Sequence, residues 1–107
     1  MKRGDLYRVR HPSGDPKRSR VFVIVSRQPV IDSRYSTLIC APIYTTRDGI
    51  STQVEVDIRE GLKHQSAIHC DGLLSIPRAQ LREYVGALDH RQMNKVDDAL
   101  RIALGLE

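Results

Sequence analysis

Arg20 opens the run Arg20-Val21-Phe22-Val23-Ile24-Val25-Ser26, and Tyr44, Thr45 and Thr46 close the run that begins at Ser36. A guanidinium is always charged, and its planar fork matches two oxygens of an oxyanion. Hydroxyls at the same rim would add neutral donors, so the two runs together make a scaffold with a candidate site at its edge. Downstream, His69 and Asp71 stand two residues apart. On a strand that spacing places both side chains on one face, with Ile68 and Cys70 on the other. A carboxylate there can orient an imidazole, and an imidazole moves protons near neutral pH. The plainer alternatives are a surface ion pair for Arg20 and a partly exposed strand residue, hydrogen-bonded to Asp71, for His69.

Charge distribution points to the kind of partner. The 107 residues carry a net charge of +4. Residues 1–47 hold ten Lys/Arg against three Asp/Glu, whereas residues 48–107 hold seven against ten. The basic half contains Arg20 and the loop before it, with Lys17 and Arg18, and ends at Arg47. A polyanion, nucleic acid first, fits this asymmetry; an unevenly charged solvated surface is the alternative. The two cysteines and four histidines show no paired metal-ligand spacing, so no metal and no other cofactor is expected. Cys40 and Cys70 fall in predicted strands and read as buried thiols. No apolar run approaches the roughly 18 residues of a membrane span. No apolar signal region follows Met1-Lys2-Arg3-Gly4-Asp5. The expectation is a cytoplasmic protein that does not enter a membrane.

The elements that must position these residues follow from periodicity. Residues 20–26 and 36–46 are β-branched and apolar on both faces, as in strands covered on two sides. Asp5–Arg10 alternates once past Asp5. Residues 11–19, rich in Pro, Gly and Ser, form a long loop suited to a phosphate-tracking flap or simply a mobile surface. Residues 27–35 form an irregular link with room for one helical turn. Thr52–Ile58 alternates, with Val54, Val56 and Ile58 on one face. Residues 60–65 turn the chain, and Ser66–Leu74 is the next strand. Ser75–Leu81 reads as a single helical turn with Pro77 near its start, and Glu83–Leu88 as a final strand. The closing helix has Asp89 as N-cap, with Gln92 three residues on as in a capping box. Met93, Val96, Leu100, Ala103 and Leu104 form its stripe, and Gly105 ends it. Six strands and one terminal helix in a chain of this length predict one domain over residues 1–107, a small, mostly antiparallel β-barrel with the helix packed on it.

Several segments carry a family resemblance. Arg3-Gly4-Asp5-Leu6-Tyr7, the Gly-containing loop leading to Arg20 and Val23-Ile24-Val25-Ser26, Ala41-Pro42-Ile43 with its following hydroxyls, Cys70-Asp71 followed by Ile76, and Met93-Asn94-Lys95-Val96-Asp97-Asp98-Ala99-Leu100 occur in an order that resembles the MazF/PemK toxins from end to end. The resemblance implies an SH3-like barrel that dimerises and cleaves single-stranded RNA without metal. It implies a cyclic phosphate and a free 5′-hydroxyl as products, and a cognate antitoxin with an acidic, mostly disordered tail that enters the RNA groove.

Such cleavage needs a base for the 2′-hydroxyl, an acid for the leaving oxygen and positive charge for the phosphorane. Arg20 suits the last role. His69 and Asp71 are candidates for proton transfer, and Lys17, Arg18, Thr46 and Arg47 for RNA binding. Two positions depart from the family pattern. Tyr44 stands where Thr or Ser usually follows Pro-Ile, so either Thr45 slides into that role through a bulge or Tyr44 offers its phenol. His69 stands where the PemK branch carries Arg. A CcdB-like gyrase poison would share the barrel, but the terminal helix lacks the Trp-Gly-Ile tail of such poisons. A non-catalytic RNA-binding barrel would want more stacking platforms than one Phe, four Tyr and no Trp provide.

Overall fold

The computed structural model describes residues 1–106. Strands β1 (Asp5–Val9), β2 (Arg20–Ile24), β3 (Thr37–Tyr44), β4 (Gln53–Val56), β5 (Ser66–His69), β6 (Leu74–Pro77) and β7 (Glu83–Ala87) are joined by 3-10 turns and by α1 (Gln28–Ile31), and the chain closes with α2 (His90–Leu104). All pairings are antiparallel, in the order β4-β5-β3-β2-β1-β7, with β6 also on β3. One edge of the eight-residue β3 takes β2. Its other edge takes β6 along Thr37–Cys40 and then β5 at Ile43 and Tyr44. Sharing one edge between two strands splits the sheet and bends it into a half-barrel.

The apolar runs are covered on both faces. Val23, Ala41 and Ile43 pack with Leu6, Ile68 and the Val96 and Ala99 of α2. Phe22, Ile24, Leu38 and Cys40 point the other way, against Ile31, Ile76 and Leu81. Fully burying each such aliphatic side chain contributes about 1.5–3 kcal/mol. Ile39 is an exception at 47% exposure: it alternates onto the side packed by α2 but lies one residue beyond the last pair of β2 with β3, between β6 and the Val25–Ser26 backbone. Cys40 and Cys70 are both free and buried. Burial pushes the Cys40 thiol up to about 12, and burial with the nearby Asp71 charge pushes Cys70 up to about 11.

Four sequence expectations change here. β4 ends at Val56, because Asp57 caps a 3-10 turn over Ile58–Glu60. Its carboxylate accepts from the Arg59 amide at 3.0 Å, and its own amide donates to Glu60 at 3.2 Å. The turn rotates Ile58 outward, 70% exposed, and buries Glu60 at 5%. The strand expected over Ser66–Leu74 stops at His69, and Cys70–Gly72 is a 3-10 turn. Residues expected to form a helical turn instead begin as β6, a seventh strand. Pro77 is tolerated at its last position, and the turn follows over Arg78–Gln80. Leu104, expected on the packed stripe of α2, is exposed.

α2 itself forms as its caps dictate. Asp89 accepts from the Gln92 amide at 2.8 Å, and Gln92 accepts from the Asp89 amide at 3.1 Å. Gly105 ends the helix in the left-handed region, at φ 68°. The Gln92 side chain also donates to Glu60, and Arg3 pairs with Asp97 at 2.8 Å, which ties the helix to the 3-10 turn and to the start of β1.

Candidate functional site

The open end of the β2–β3 pair carries the site. Val21 pairs with Ile43, so Arg20 and Tyr44, one residue further out on each strand, meet across the rim. The Arg20 guanidinium carbon lies 5.8 Å from the centre of the Tyr44 ring, within cation–π range. Arg20 also donates to the carbonyls of Ser19, at 3.1 Å, and Lys17, at 3.5 Å. On the other strand neighbour, Tyr44 pairs with Ala67, which makes His69 its diagonal partner on the same face. The two rings meet edge to face at 4.9 Å. Arg20, Tyr44 and His69 therefore form one contiguous row, with the tyrosine in the middle.

A groove of about 750 Å³ opens beside this row. Arg8, Lys17 and Arg20 line it with Tyr44, Thr45 and Thr46, and the loop before β5 adds Lys63 and His64. β3 stops at Tyr44, and the chain bends at Thr45. This bend, in place of a bulge, brings Thr45 into the groove lining. Among the described residues, no carboxylate lines it. Arg8 is offset by Glu83 at 3.3 Å, whereas Lys17, Arg20 and Lys63 have no carboxylate within ion-pair distance among the described residues. The Ser19 hydroxyl, buried at the same corner, makes no hydrogen bond there.

His69 is not presented as its strand position suggested. Its Nε2 stands 3.0 Å from the Thr46 carbonyl. A carbonyl only accepts, so Nε2 carries the proton. Its Nδ1 faces the Gln53 side-chain nitrogen at 3.5 Å. That amide is oriented by Asp48, whose carboxylate accepts from it at 2.9 Å while the Asp48 amide donates to its oxygen at 2.9 Å. Both ring nitrogens are thus committed to holding the segment from Thr46 to Gln53. Asp71 does not orient His69, because it lies in the 3-10 turn and accepts instead from the Thr52 hydroxyl at 2.6 Å.

Of the remaining candidates, Lys17 and Thr46 line the groove with Arg20, Tyr44 and Thr45. Arg18 is exposed in the 3-10 turn Pro16–Arg18, outside the lining. Arg47 turns to a neighbouring groove of about 470 Å³ and pairs with Glu55 at 3.3 Å. Sequence reading missed Arg8, Lys63 and His64. Arg8 looked like any polar position of an alternating strand, and Lys63 and His64 sat in a stretch that signalled only a turn. Their relation to Arg20 exists only in three dimensions.

Comparisons with known proteins show which family carries this fold. A family model described as PemK-like, MazF-like toxin of type II toxin–antitoxin system matches residues 2–104. The chain is 31% identical to Endoribonuclease MazF3 of Mycobacterium tuberculosis, across 84% of this chain and 86% of that protein. It is 32% identical to Endoribonuclease EndoA of Bacillus subtilis, across 99% and 96%. A mycobacterial endoribonuclease solved in complex with its cognate antitoxin superposes with a TM-score of 0.84 at 26% identity, covering 100% of this chain and 97% of that one. A half-barrel closed by a C-terminal helix, with an arginine and hydroxyls at the rim of β2 and β3, is here joined to a match along nearly the whole chain, and the protein belongs to the PemK-like, MazF-like toxins of type II toxin–antitoxin systems.

Proposed function

We propose that this toxin is a sequence-specific endoribonuclease that cleaves single-stranded RNA by metal-independent transesterification. The observation that carries this reading is the groove itself, where Arg20, Lys17 and Lys63 meet the Thr45 and Thr46 hydroxyls with no carboxylate in the lining. Attack of a ribose 2′-oxygen on the adjacent phosphorus crowds negative charge onto the non-bridging oxygens, and preorganised cationic donors stabilise that charge best. The Arg20 fork can hold two of those oxygens at once. Thr45 supplies a neutral donor beside it. Tyr44 holds the guanidinium in place, and His69 holds the Thr46 backbone. The departing oxygen leaves as a 5′-hydroxyl, and the 2′-oxygen closes a cyclic phosphate. A hard divalent cation is ordinarily held by carboxylates, none of which lines the groove among the described residues, and Arg20 supplies fixed positive charge in its place. Arg18 and Arg47, outside the groove, serve flanking RNA, while Asp71 acts on the loop through Thr52.

The same cationic groove suits the acidic, disordered tail of a cognate antitoxin, which would compete directly with RNA. The mycobacterial relative solved with its antitoxin supports a partner of this kind. The working form in this reading is a homodimer that acts in the cytoplasm. No helix is long and apolar enough to cross a membrane among the described residues.

The test is incubation of purified protein with a long RNA, with and without chelator. Cleavage is expected in both, and it should weaken steeply with salt. Activity abolished by chelator and restored by magnesium would overturn the mechanism, and intact RNA would overturn the ribonuclease reading.

A further inference from the structure

We propose that His64 is the general base of this site, accepting the proton of the attacking 2′-hydroxyl; the inference rests on the ribonuclease reading above. The argument begins with which groups in the groove can accept a proton at all. Arg8, Lys17, Arg20 and Lys63 already carry theirs. The Ser, Thr and Tyr hydroxyls are protonated at neutral pH. No carboxylate lines the groove among the described residues. One group is left, the imidazole of His64, and histidine is the side chain that ordinarily exchanges a proton between about pH 5 and 8.

The two histidines near the rim differ in the way this role requires. His69 donates from Nε2 to the Thr46 carbonyl and turns Nδ1 to Gln53, so it holds a loop and presents no free nitrogen. His64 is exposed in the groove, and neither of its ring nitrogens has a hydrogen-bond partner among the described residues. Yet the segment that carries it is anchored at both ends. Gly61 has φ 96°, and a Cβ built on it would stand 2.2 Å from the Val85 carbonyl oxygen. Leu62 is buried in the core beneath α2. On the other side, the Ser66 hydroxyl donates to the His64 carbonyl at 3.0 Å. A tethered backbone with an unengaged imidazole is how a proton acceptor is held ready without being occupied. The charged groups lining the groove around it are cations: Arg8 from β1, Lys17 from the turn before β2, Arg20 from the first position of β2, and Lys63 beside it.

In the step itself, a ring nitrogen of neutral His64 takes the 2′-hydroxyl proton as the 2′-oxygen bonds to phosphorus. The bond from phosphorus to the 5′-oxygen breaks, and that oxygen takes a proton from solvent water. The imidazolium returns its proton to the hydroxide so formed, leaving a cyclic phosphate, a 5′-hydroxyl and an unchanged enzyme.

The experiment compares wild type, His64→Ala and His64→Gln in single-turnover cleavage of a short RNA from pH 5 to 8, with binding measured on the same oligonucleotide carrying 2′-deoxyribose throughout. The wild-type rate should rise with pH and level off. Both variants should fall by on the order of 10²–10⁴-fold, the usual contribution of a general base, with a flattened profile and binding changed by no more than a few fold. Added imidazole should restore part of the His64→Ala rate. A variant that keeps the wild-type rate and profile, or one whose rate falls only in step with its binding, would overturn the role of His64 and leave the ribonuclease reading standing. Wild-type protein that does not cut RNA would overturn both.

Discussion

At the residue scale, the proposed site rests on one guanidinium held by few contacts. Arg20 gives only its Nη1 to backbone carbonyls, at 3.1 and 3.5 Å, and leans on an exposed aromatic face. Arg20→Ala should leave the fold intact, because the side chain is exposed and bonds only to its own corner. It should lower the cleavage rate by on the order of 10²–10³-fold, as loss of one preorganised donor does elsewhere. Arg20→Lys should recover little, since an ammonium lacks the planar fork. Single-turnover rates with a thermal melt beside them check both; wild-type cleavage by Arg20→Ala would remove it from the site. The hydroxyl left open by the sequence is assignable in the same way. Tyr44 is 41% exposed and its ring already lies between Arg20 and His69, so Tyr44→Phe should keep the rate within about threefold, whereas Tyr44→Ala frees Arg20 and Thr45→Val removes the neutral donor. Both should lose at least tenfold. Full loss in Tyr44→Phe would make the phenol the functional hydroxyl.

At the element scale, one side chain joins pieces that local pattern treats separately. Arg78 donates to the carbonyls of Val30 at 3.1 Å, Ile31 at 2.8 Å and Tyr35 at 3.1 Å. It thereby satisfies the end of α1, which is too short to satisfy itself, and fixes the entry to β3 against the turn after β6. Charged hydrogen bonds of this kind contribute about 1.5–3 kcal/mol where partly buried. Arg78→Ala should therefore lower the unfolding free energy by about that amount in urea titration, and Arg78→Lys should recover only part of it. An unchanged midpoint would show that water serves these carbonyls equally well. The loop before β5 is set by a different device. A Cβ on Gly86 would stand 2.0 Å from the Glu60 carbonyl oxygen, so β7 and the 3-10 turn after β4 approach backbone to backbone, and that contact sets where Lys63 and His64 begin.

At the scale of the whole molecule, charge and oligomeric state decide how RNA is met. On an oligonucleotide that fills only the groove and does not reach Arg18 or Arg47, if Arg8, Lys17, Arg20 and Lys63 each neutralise a phosphate, the slope of log K against log salt should be near −3 per protomer, using about −0.7 per contact for a single strand. Arg8 shares its charge with Glu83, so the value should lie between about −2 and −3. A slope near zero on a non-cleavable deoxy oligonucleotide would mean that the groove does not hold the backbone. A chain of this length buries only a limited fraction of its surface alone, and Ile39, Leu74, Ile102, Leu104 and Leu106 remain exposed. Sedimentation at micromolar concentration should therefore show a dimer, and a monomer alone would count against it.

What the sequence by itself determined is the part written in short-range pattern. The two-faced apolar runs specified β2 and β3 because burial on both sides needs apolar residues at every position. Asp89, Gln92 and Gly105 specified both ends of α2 because caps are local hydrogen bonds. The order of motifs was enough to mark the family. Tertiary structure decided the rest. Whether Ile58 turned inward depended on Asp57 capping a 3-10 turn, and the pattern Val54, Val56, Ile58 carries no trace of that competition. β6 was hidden because Pro77 reads as a helix start until β3 offers an edge that needs no donor from it. His69 and Asp71 kept their spacing of two residues, but the strand ended between them, and each took a partner from the segment before it. His64 shows the converse, for nothing in its neighbourhood marked it. It reaches the groove because two backbones close at Gly61 and Gly86, a contact between residues far apart in the chain.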